Sequence, residues 1–330
     1  MTFRLGFQTH LHGEQSAADL YAGGIDLFQA AEELGFETGW VAQHHLSTNE
    51  GRLPSPLVFL AAVAQRTSRI RLGTAVVTIT LDEPLRVAED AAVLDALASG
   101  RLELGIGSGN PHPEQFAAFG RSADDRRALY ANASDVLRRA LAGEELAPGT
   151  RLQPPAPTLL ERIWESPGSV EREAQVARDG HGVLIGIGPA ATVQLELAQA
   201  YLAAAAEVGI APRLAIVHSA FFGASAEAVA DSLWPGVRDS SLSYYQRAGW
   251  VGEDAAPEEL LAAMNIHHGT VDDVIASVGA EPVVELATDL VFAAQAHRTT
   301  FDEAIRGLET IAREVAPVLG WKRAAAEVGA

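Results

Sequence analysis

Residues 84–109 read PLRVAEDAAVLDALASGRLELGIGSG and contain one complete transition from a helix to a strand. Apolar residues recur at helical spacing over Leu85–Leu97, and Ser99 with Gly100 ends that pattern. Leu102–Ile106 follows as a short run that is typical of a buried strand. The same order of elements recurs along the chain on both sides of this stretch.

Short β-rich runs alternate with longer helical segments through the whole sequence. The runs predicted as strands are Phe3–Gln8, Thr38–Ala42, Ile70–Ile79, Leu102–Ile106, Ile163–Glu165, Val183–Ile187, Leu214–Phe222 and Asp289–Phe292. A helix between successive strands returns the chain to the same edge, so the strands should be parallel, and about eight such units favour a closed barrel. The sequence therefore predicts one domain over residues 1–330 with an α/β fold, a (β/α)₈ TIM barrel.

Two segments interrupt this alternation. Residues 143–160 carry four prolines, which predicts a crossing loop rather than an element. Residues 249–269 have no clear hydrophobic period and are predicted as irregular. Both are interpreted as insertions in strand-to-helix loops and as candidate lids that exclude water from a site at the barrel mouth.

Composition limits the classes of function. The chain has 330 residues, of which 48% are hydrophobic, and a formal net charge of −19, which disfavours nucleic acid and anionic membrane surfaces as partners. The absence of cysteine excludes disulfides, thiolate nucleophiles and cysteine-based metal sites. The first residues lack a secretory signal pattern, and no apolar stretch approaches the ~20 residues of a membrane span, so we expect a cytoplasmic location.

The loops that follow the strands are where such barrels carry their functional residues. The fourth predicted strand runs into GIGSGN at Gly105–Asn110, whose glycines let a flat ligand approach the backbone. The spacing is GxGxG rather than GxGxxG, and Pro111 and Pro113 follow, which argues against a dinucleotide-binding turn. A tight loop without a ligand is the alternative interpretation.

The fifth predicted strand ends in Glu165-Ser166-Pro167-Gly168-Ser169. Ser166 suits the cap of a helix and Pro167 its first position, so a helix is expected to begin at the mouth with free N–H groups. Such a terminus binds phosphate, and Ser166 and Ser169 would add hydroxyl donors. An ordinary capped helix is the alternative.

Histidines at the strand ends support two classes of function. His10 and His12 have the spacing of two ligands in a metal-dependent barrel hydrolase, although the fifth and sixth strand ends offer no further histidine. His44 and His45 end the second strand, where an imidazole beside a flavin could exchange a proton with a reacting oxygen group. A packed or solvent-facing histidine is the alternative.

Several whole segments resemble the luciferase-like flavin-dependent monooxygenases. They are Gly35–His45, Ile70–Val77, Pro84–Asp90 with Ser99–Gly109, Trp164–Ser166 and Gly269–Val274. The resemblance implies a (β/α)₈ barrel that binds reduced FMN, supplied by a separate flavin reductase, and uses O₂ to oxygenate a small organic substrate. It also implies a homodimer.

The resemblance assigns roles to particular residues. His44 matches the catalytic histidine, and Thr74-Ala75 matches the position of a non-prolyl cis peptide beneath the flavin ring. Other positions that match cofactor-binding segments are Gly107, Ser108, Asn110, Glu165, Ser166 and Ser169. No metal site is implied.

Two positions depart from the family pattern. Gln43 stands where luciferase has glutamate, and Ser108 stands where luciferase has an arginine that pairs with phosphate.

A reductase or dehydrogenase that uses the deazaflavin F420 is a second interpretation on the same fold. Its polyglutamate tail would need cations near the mouth, for which Arg121, Arg126 and Arg127 are candidates.

Overall fold

A computed structural model describes residues 3–46, 50–187, 190–247, 249–296 and 298–323. Within them the strands are β1 (Arg4–Thr9), β2 (Thr38–Val41), β3 (Arg71–Thr74), β4 (Val77–Thr78), β5 (Leu102–Gly107), β6 (Ile163–Glu165), β7 (Gly182–Ile185), β8 (Leu214–Phe222), β9 (Ile266–Gly269) and β10 (Asp289–Ala293). The α-helices are α1 (Ala17–Leu34), α2 (Pro56–Ala64), α3 (Pro84–Leu97), α4 (Pro113–Ala118), α5 (Arg126–Leu141), α6 (Val170–Arg178), α7 (Ala191–Val208), α8 (Ala226–Val237), α9 (Ser243–Arg247), α10 (Pro257–Ala263), α11 (Val271–Gly279), α12 (Phe301–Thr310) and α13 (Ala316–Val318).

The strands that pair in the described residues form a closed parallel ring. β1 pairs with β2 on one side and with β10 on the other, and β10 also pairs with β8, which closes the circle. The order around the ring is β1, β2, β3, β5, β6, β7, β8 and β10. The predicted (β/α)₈ barrel is therefore confirmed.

Local sequence explains the helices that surround the ring. In α1, Ser16 caps the first turn by accepting the Asp19 N–H, and Gly35 ends the helix in the left-handed region at φ 97°. The buried side chains of this helix recur every three to four residues and face the strands. In the described part of the chain, no helix combines the length and the apolar character that crossing a membrane requires.

The predicted strand Ile70–Ile79 is in fact two shorter strands. Pairing of β3 with β2 ends at Thr74, opposite Val41. β5 remains the neighbour on the other side, because it pairs with β3 at Leu72 and Gly73 and with β4 at Val77 and Thr78. The run therefore loses one of its two neighbours part-way along, which a uniformly β-branched composition does not reveal.

The prediction that residues 249–269 are irregular is wrong in part, because they contain α10 and β9. β8 extends beyond the ring, and its last four residues, Ser219–Phe222, offer the edge with which β9 pairs. In contrast, residues 143–156 contain no helix or strand, as their prolines predicted, and a 3₁₀ turn follows at Pro157–Arg162.

Two tryptophans fill the barrel interior. Trp40 from β2 and Trp164 from β6 are fully buried and meet edge to face, with ring centroids 5.3 Å apart. The neighbouring strands carry glycine because a Cβ at Gly73 would lie 2.1 Å from the Trp40 ring, and one at Gly182 would lie 2.5 Å from the Trp164 ring. The indole N–H of Trp164 donates to Glu103 Oε2 at 2.7 Å, which fixes the ring.

A charged layer lies at the N-terminal end of the ring. Arg4 contacts Asp289 at 2.8 Å and Glu103 at 3.6 Å, and Arg71 Nε donates to Glu103. Burial raises the pKa of the Asp289 carboxyl, against the opposing effect of Arg4. Buried carboxylates need such partners, so these side chains hold the barrel together and leave the opposite, C-terminal mouth for a ligand.

Gly73→Ala should destabilise the fold by about 1–3 kcal/mol, because the new methyl group would overlap the Trp40 ring in a packed interior. The midpoint of urea unfolding, followed by tryptophan fluorescence, measures the effect. Gly307→Ala is the matched control, since a Cβ at that helical position meets nothing within 4 Å. A Gly73 variant as stable as this control would mean that the tryptophan pair can repack freely.

Candidate active site at the barrel mouth

An apolar floor, formed by Ala75, Val76 and Ile187, covers the tryptophan pair at the C-terminal mouth. These half-buried side chains pack against the interior cluster that contains Trp40 and Trp164. Gly107 lies beside them, and a Cβ there would come within 2.5 Å of Val76 Cγ2. Because Gly107 has no side chain, nothing projects from the floor at this point, and a planar ring can lie on it.

The cis peptide bond lies one residue later than the resemblance indicated, between Ala75 and Val76. Regular pairing persists through Ala75, whose N–H donates to Val41 O at 2.8 Å. Thr74 is fully buried, and its Oγ1 donates to Gly105 O at 2.7 Å. Thr74 therefore supports the floor from below, whereas Ala75 is part of its surface.

Gln43 joins three segments beneath the mouth. Its Oε1 accepts from the Thr78 N–H at 2.6 Å, and its Nε2 donates to Pro54 O at 3.0 Å and lies 3.4 Å from Asp82 Oδ2. A glutamate could not donate to Pro54 O and would repel Asp82. The departure from luciferase at this position thus fits its surroundings in this chain.

His10 and His44 meet above the strand ends, and Glu50 lies next to them; we call these three residues the proton chain. His10 Nδ1 lies 2.7 Å from His44 Nε2, and His44 Nδ1 lies 3.6 Å from Glu50 Oε2. Glu50 Oε1 also approaches His112 Nε2 at 3.4 Å. Glycine is required at Gly51, where a Cβ would lie 2.4 Å from His10 O and 2.6 Å from His44 Cδ2.

The hydrogen bonds define where the protons lie in this group. Gln8 Nε2 can only donate, and it lies 3.3 Å from His10 Nε2, so that ring nitrogen accepts. The proton of neutral His10 is then on Nδ1 and is donated to His44 Nε2. The proton of neutral His44 is therefore on Nδ1, directed toward Glu50.

Charge in the proton chain is concentrated at Glu50. Burial lowers the pKa of His10 well below its usual value, and the neighbouring His44 and His12 lower it further, so His10 is neutral near pH 7. The hydrogen bond from His44 lowers the pKa of the Glu50 carboxyl, with a further contribution from the charge of His112. A carboxylate in this position stabilises the imidazolium that forms when His44 accepts a proton.

His10 and His12 do not form the metal-hydrolase site considered above. Their rings stack with centroids 5.5 Å apart, and the His10 nitrogens contact Gln8 and His44. Among the described residues, the group of side chains close enough to share one metal ion contains neither histidine.

The loop after β5 is held by contacts to its backbone. Arg126 donates to Gly109 O, and Thr80 Oγ1 donates to Ser108 O at 3.0 Å. The side chain of Ser108 is half-buried and that of Asn110 is exposed at the rim. Both can therefore reach a ligand above the floor, while their loop is fixed from below.

Arg121 bridges the neighbouring loop, because its guanidinium donates to Thr80 O and, at 3.0 Å, to Asp82 O. Arg121 and Arg126 thus bind backbone carbonyls of this chain, and Arg127 is exposed. The cations that could hold an F420 tail are therefore largely engaged in organising the mouth.

The turn Ser166–Ser169, which the sequence predicts as a phosphate site, differs from its prediction at the helix start. α6 begins at Val170 with Ser169 as its cap, not at Pro167, because Gly168 adopts a left-handed φ of 74° that a helix cannot include. Ser166 and Ser169 are both exposed, and the Ser169 hydroxyl makes no capping bond. Both hydroxyls are therefore available at the helix N-terminus.

Glu165 turns away from this exposed turn. It is buried, accepts from Tyr130 Oη and contacts His181 Nδ1 at 2.7 Å, with Arg172 at 3.7 Å. These partners lower the pKa of its carboxyl, against the effect of burial. Glu165 therefore anchors the turn to α5 and β7 instead of facing a ligand.

Glu173 lies under the same turn and was not singled out by the sequence. Its Oε1 accepts from the Gly168 N–H at 3.2 Å, and its Oε2 is buried without a hydrogen-bond partner. Burial raises the pKa of this carboxyl to about 8, and the nearby charge of Glu165 contributes. A neutral Glu173 does not oppose an anion at the turn, whereas an ionised one would.

A cavity of about 590 Å³ lies beside the mouth, between α8 and α12. Small residues such as Ala293 and Gly307 line it, and Arg298, Glu303 and Arg306 are its charged groups. Among its described lining residues there is no histidine and none of the residues matched to the family's cofactor site. His10 and His44, the candidate acid–base residues, therefore lie at the mouth and not in this cavity.

The family model for luciferase-like monooxygenases matches residues 1–289. The chain belongs to this family. Its relatives include a monooxygenase and an F420-dependent dehydrogenase. The proton chain, the apolar floor and the turn at Ser166–Ser169 are thus features of a member of this family.

Curated relatives match over part of their length. 4-Hydroxyprotoasukamycin monooxygenase of Streptomyces nodosus subsp. asukaensis is 38% identical over 148 residues, which are 44% of this chain and 38% of that protein. F420-dependent glucose-6-phosphate dehydrogenase of Kineococcus radiotolerans is 37% identical over 131 residues, 38% of each protein. The chain spans 54%, 41% and 38% of the lengths of three curated relatives.

A solved structure matches over nearly the whole chain. It is the oxygenating constituent of 3,6-diketocamphane monooxygenase from Pseudomonas putida, a type II Baeyer–Villiger monooxygenase in complex with FMN. The TM-score is 0.76 at 19% identity, and the match covers 96% of this chain and 99% of that one. This likeness is one of fold.

Glu173→Gln should flatten the dependence of stability on pH. Because folding raises the pKa of Glu173 from 4.5 to about 8, the native state keeps a proton that the unfolded chain releases between those values. The free energy of unfolding therefore falls as the pH rises through this window, by an amount on the order of a few kcal/mol, and stays lower above it. The glutamine side chain can still accept from the Gly168 N–H. Because it does not ionise, the variant should not lose unfolding free energy over this pH range.

Urea unfolding at pH 5 and pH 8.5 measures the difference. The wild-type chain should lose more stability over this interval than the Gln variant. Glu171→Gln, in the exposed first turn of the same helix, is the matched control and should follow the wild type. Parallel curves for wild type and Glu173→Gln would mean that Glu173 is ionised in the native state.

Proposed function

We propose that the chain is a monooxygenase that binds reduced FMN at the barrel mouth and uses O₂ to oxygenate a small organic substrate. The observation that carries this proposal is the proton chain, His10, His44 and Glu50, beside a flat apolar floor at the ends of parallel strands. An imidazole backed by a carboxylate provides general acid–base catalysis, and a flat apolar surface favours a planar ring.

The residues at the mouth fit a flavin mononucleotide. The ring would lie on Ala75 and Val76, where Gly107 leaves space for it. The phosphate would accept from the Ser166 and Ser169 hydroxyls and from the N-terminal amides of α6, which supplies donors where Ser108 replaces an arginine. Asn110 and the Ser108 side chain would contact the chain between ring and phosphate.

When bound, the reduced flavin supplies the two electrons with which O₂ transfers one oxygen atom to the substrate and one to water. Because His10 Nδ1 donates to His44 Nε2, a proton would pass between the reacting oxygen and His44 through His10. His10 Nε2 would accept the proton, His10 Nδ1 would pass its own proton to His44 Nε2, and Glu50 would stabilise the protonated His44 ring. Thr74 and Gln43 fix the strand ends on which these groups stand.

The three proteins compared above support different cofactors. The Streptomyces relative is a monooxygenase and the solved Pseudomonas structure contains FMN, whereas the Kineococcus relative uses F420. We favour FMN because Arg121 and Arg126 are bound to carbonyls of this chain and offer little charge to a polyglutamate tail. A separate reductase that delivers the flavin, a cytoplasmic location and a homodimer complete the proposal.

Anaerobic titration tests the cofactor. Reduced FMN should bind more tightly than reduced riboflavin, because only FMN carries the phosphate, and more tightly than reduced F420. The double variant Ser166→Asp/Ser169→Asp should remove the advantage of FMN over riboflavin by placing negative charge at the turn. Tighter binding of F420 than of FMN would instead support the dehydrogenase interpretation.

His44→Ala should leave the affinity for reduced FMN within about twofold and lower the rate of substrate oxygenation by at least about 10²-fold. Single-turnover mixing with O₂ and a panel of small ketones, aldehydes and alkenes measures that rate by product formation. His268→Ala, on β9, is the control and should match the wild type. An unchanged rate in His44→Ala would remove this residue from the mechanism.

A further inference from the structure

A second group of titratable side chains lies outside the barrel ring, away from the mouth. It consists of His218 on β8, His267 on β9 and Glu281 just after α11. Val217 faces the interior cluster, so its neighbour His218 faces outward. The pairing of β8 with β9 and the packing of α11 against both strands bring the three side chains together.

The distances within this group are those of ligands around one small ion. The three potential ligand atoms lie within 4.8 Å of one another. His267 Nε2 is 3.1 Å from Glu281 Oε1, and His218 Nδ1 is 3.7 Å from Glu281 Oε2. Two ligands bound to one tetrahedral Zn²⁺ at its usual distances are about 3.4 Å apart.

The tautomer of His267 directs a lone pair into the group. The Ser277 hydroxyl donates its one proton to Val274 O, so its oxygen accepts from His267 Nδ1, which lies 3.0 Å away. Neutral His267 then presents an unprotonated Nε2 to the Glu281 carboxylate. Two lone pairs facing each other at 3.1 Å repel unless a cation or a proton lies between them.

An ion pair with Glu281 alone does not account for the buried position of His218. Its side chain is fully buried, and neither ring nitrogen has a hydrogen-bond partner. Glu281 Oε2, the oxygen nearest to it, also has none. Buried polar atoms without partners destabilise a fold, whereas a metal ion would engage both atoms at once.

We propose that His218, His267 and Glu281 bind one divalent transition-metal ion. Two imidazoles and one carboxylate favour Zn²⁺ and related ions over Mg²⁺ or Ca²⁺, which prefer oxygen ligands. The site is buried between β8, β9 and α11, and it shares no residue with the mouth. Its role is to tie β9, which lies outside the ring, to the barrel strand β8.

Metal binding by the full chain without an affinity tag tests this proposal. After treatment with a chelator and dialysis, the wild type should bind one Co²⁺ per chain with visible absorption bands, and Zn²⁺ should displace it. No cysteine is present to provide a thiolate background. Bound Zn²⁺ should also raise the melting temperature.

Removing one ligand should weaken Co²⁺ binding by at least about 100-fold. Mutation of a residue that only hydrogen-bonds to a metal ligand already lowers metal affinity by about 10–100-fold. His218→Ala and Glu281→Gln provide two such variants, and the second keeps the size of the side chain if the first folds poorly. His268→Ala is the matched control on the same strand, since His268 Nδ1 contacts its own backbone at Ile266 O. It should bind Co²⁺ like the wild type.

Two results would overturn the proposal. One is a wild-type chain that binds neither Co²⁺ nor Zn²⁺ stoichiometrically. The other is wild-type affinity in folded His218→Ala or Glu281→Gln, with folding verified by circular dichroism. Loss of the metal in His44→Ala but not in these variants would assign it to the mouth instead. None of these outcomes depends on flavin binding or on oxygenase activity.

Discussion

The edge-to-face contact between Trp40 and Trp164 is the interaction on which the rest of the barrel depends. The two rings fill the interior that eight strands enclose, and they need glycine at positions 73 and 182 on the strands beside them. Trp164 also donates to Glu103, which links the apolar interior to the charged layer at the N-terminal end. Because the interior is filled, a ligand at the barrel axis would lie above the tryptophan pair, at the ends of the strands.

The mouth of the barrel lies directly above the tryptophan pair. Ala75, Val76 and Ile187 cover the tryptophans, and hydrogen bonds from Thr74 and Gln43 hold the strand ends in place. Rigid support matters because general acid–base catalysis requires the imidazole within hydrogen-bond reach of the reacting atom. The proton chain stands on the two adjacent strand ends, β1 and β2, so the geometry of the ring determines its distances.

The fold and part of the site could be predicted from sequence, because strand–helix alternation and strand-end positions are local patterns. His44 and Gly107 lie at the mouth, where their strand-end positions predicted them, and their roles stay predictions. Glu50 and Glu173 were not, since their importance comes from contacts with residues of other segments or from burial. The inward turn of Glu165 depends on Tyr130 and His181, which no local pattern connects to it. The pairing of β9 with β8 brings His218 and His267 together for the same reason.

We expect the mouth above the tryptophan pair, and not the cavity between α8 and α12, to hold the flavin. A crystal structure of the chain soaked anaerobically with reduced FMN tests it most directly. The ring should lie on Ala75 and Val76, within hydrogen-bond reach of the proton chain, with the phosphate at Ser166 and Ser169. A flavin bound between α8 and α12, near Arg298 and Arg306, would contradict it.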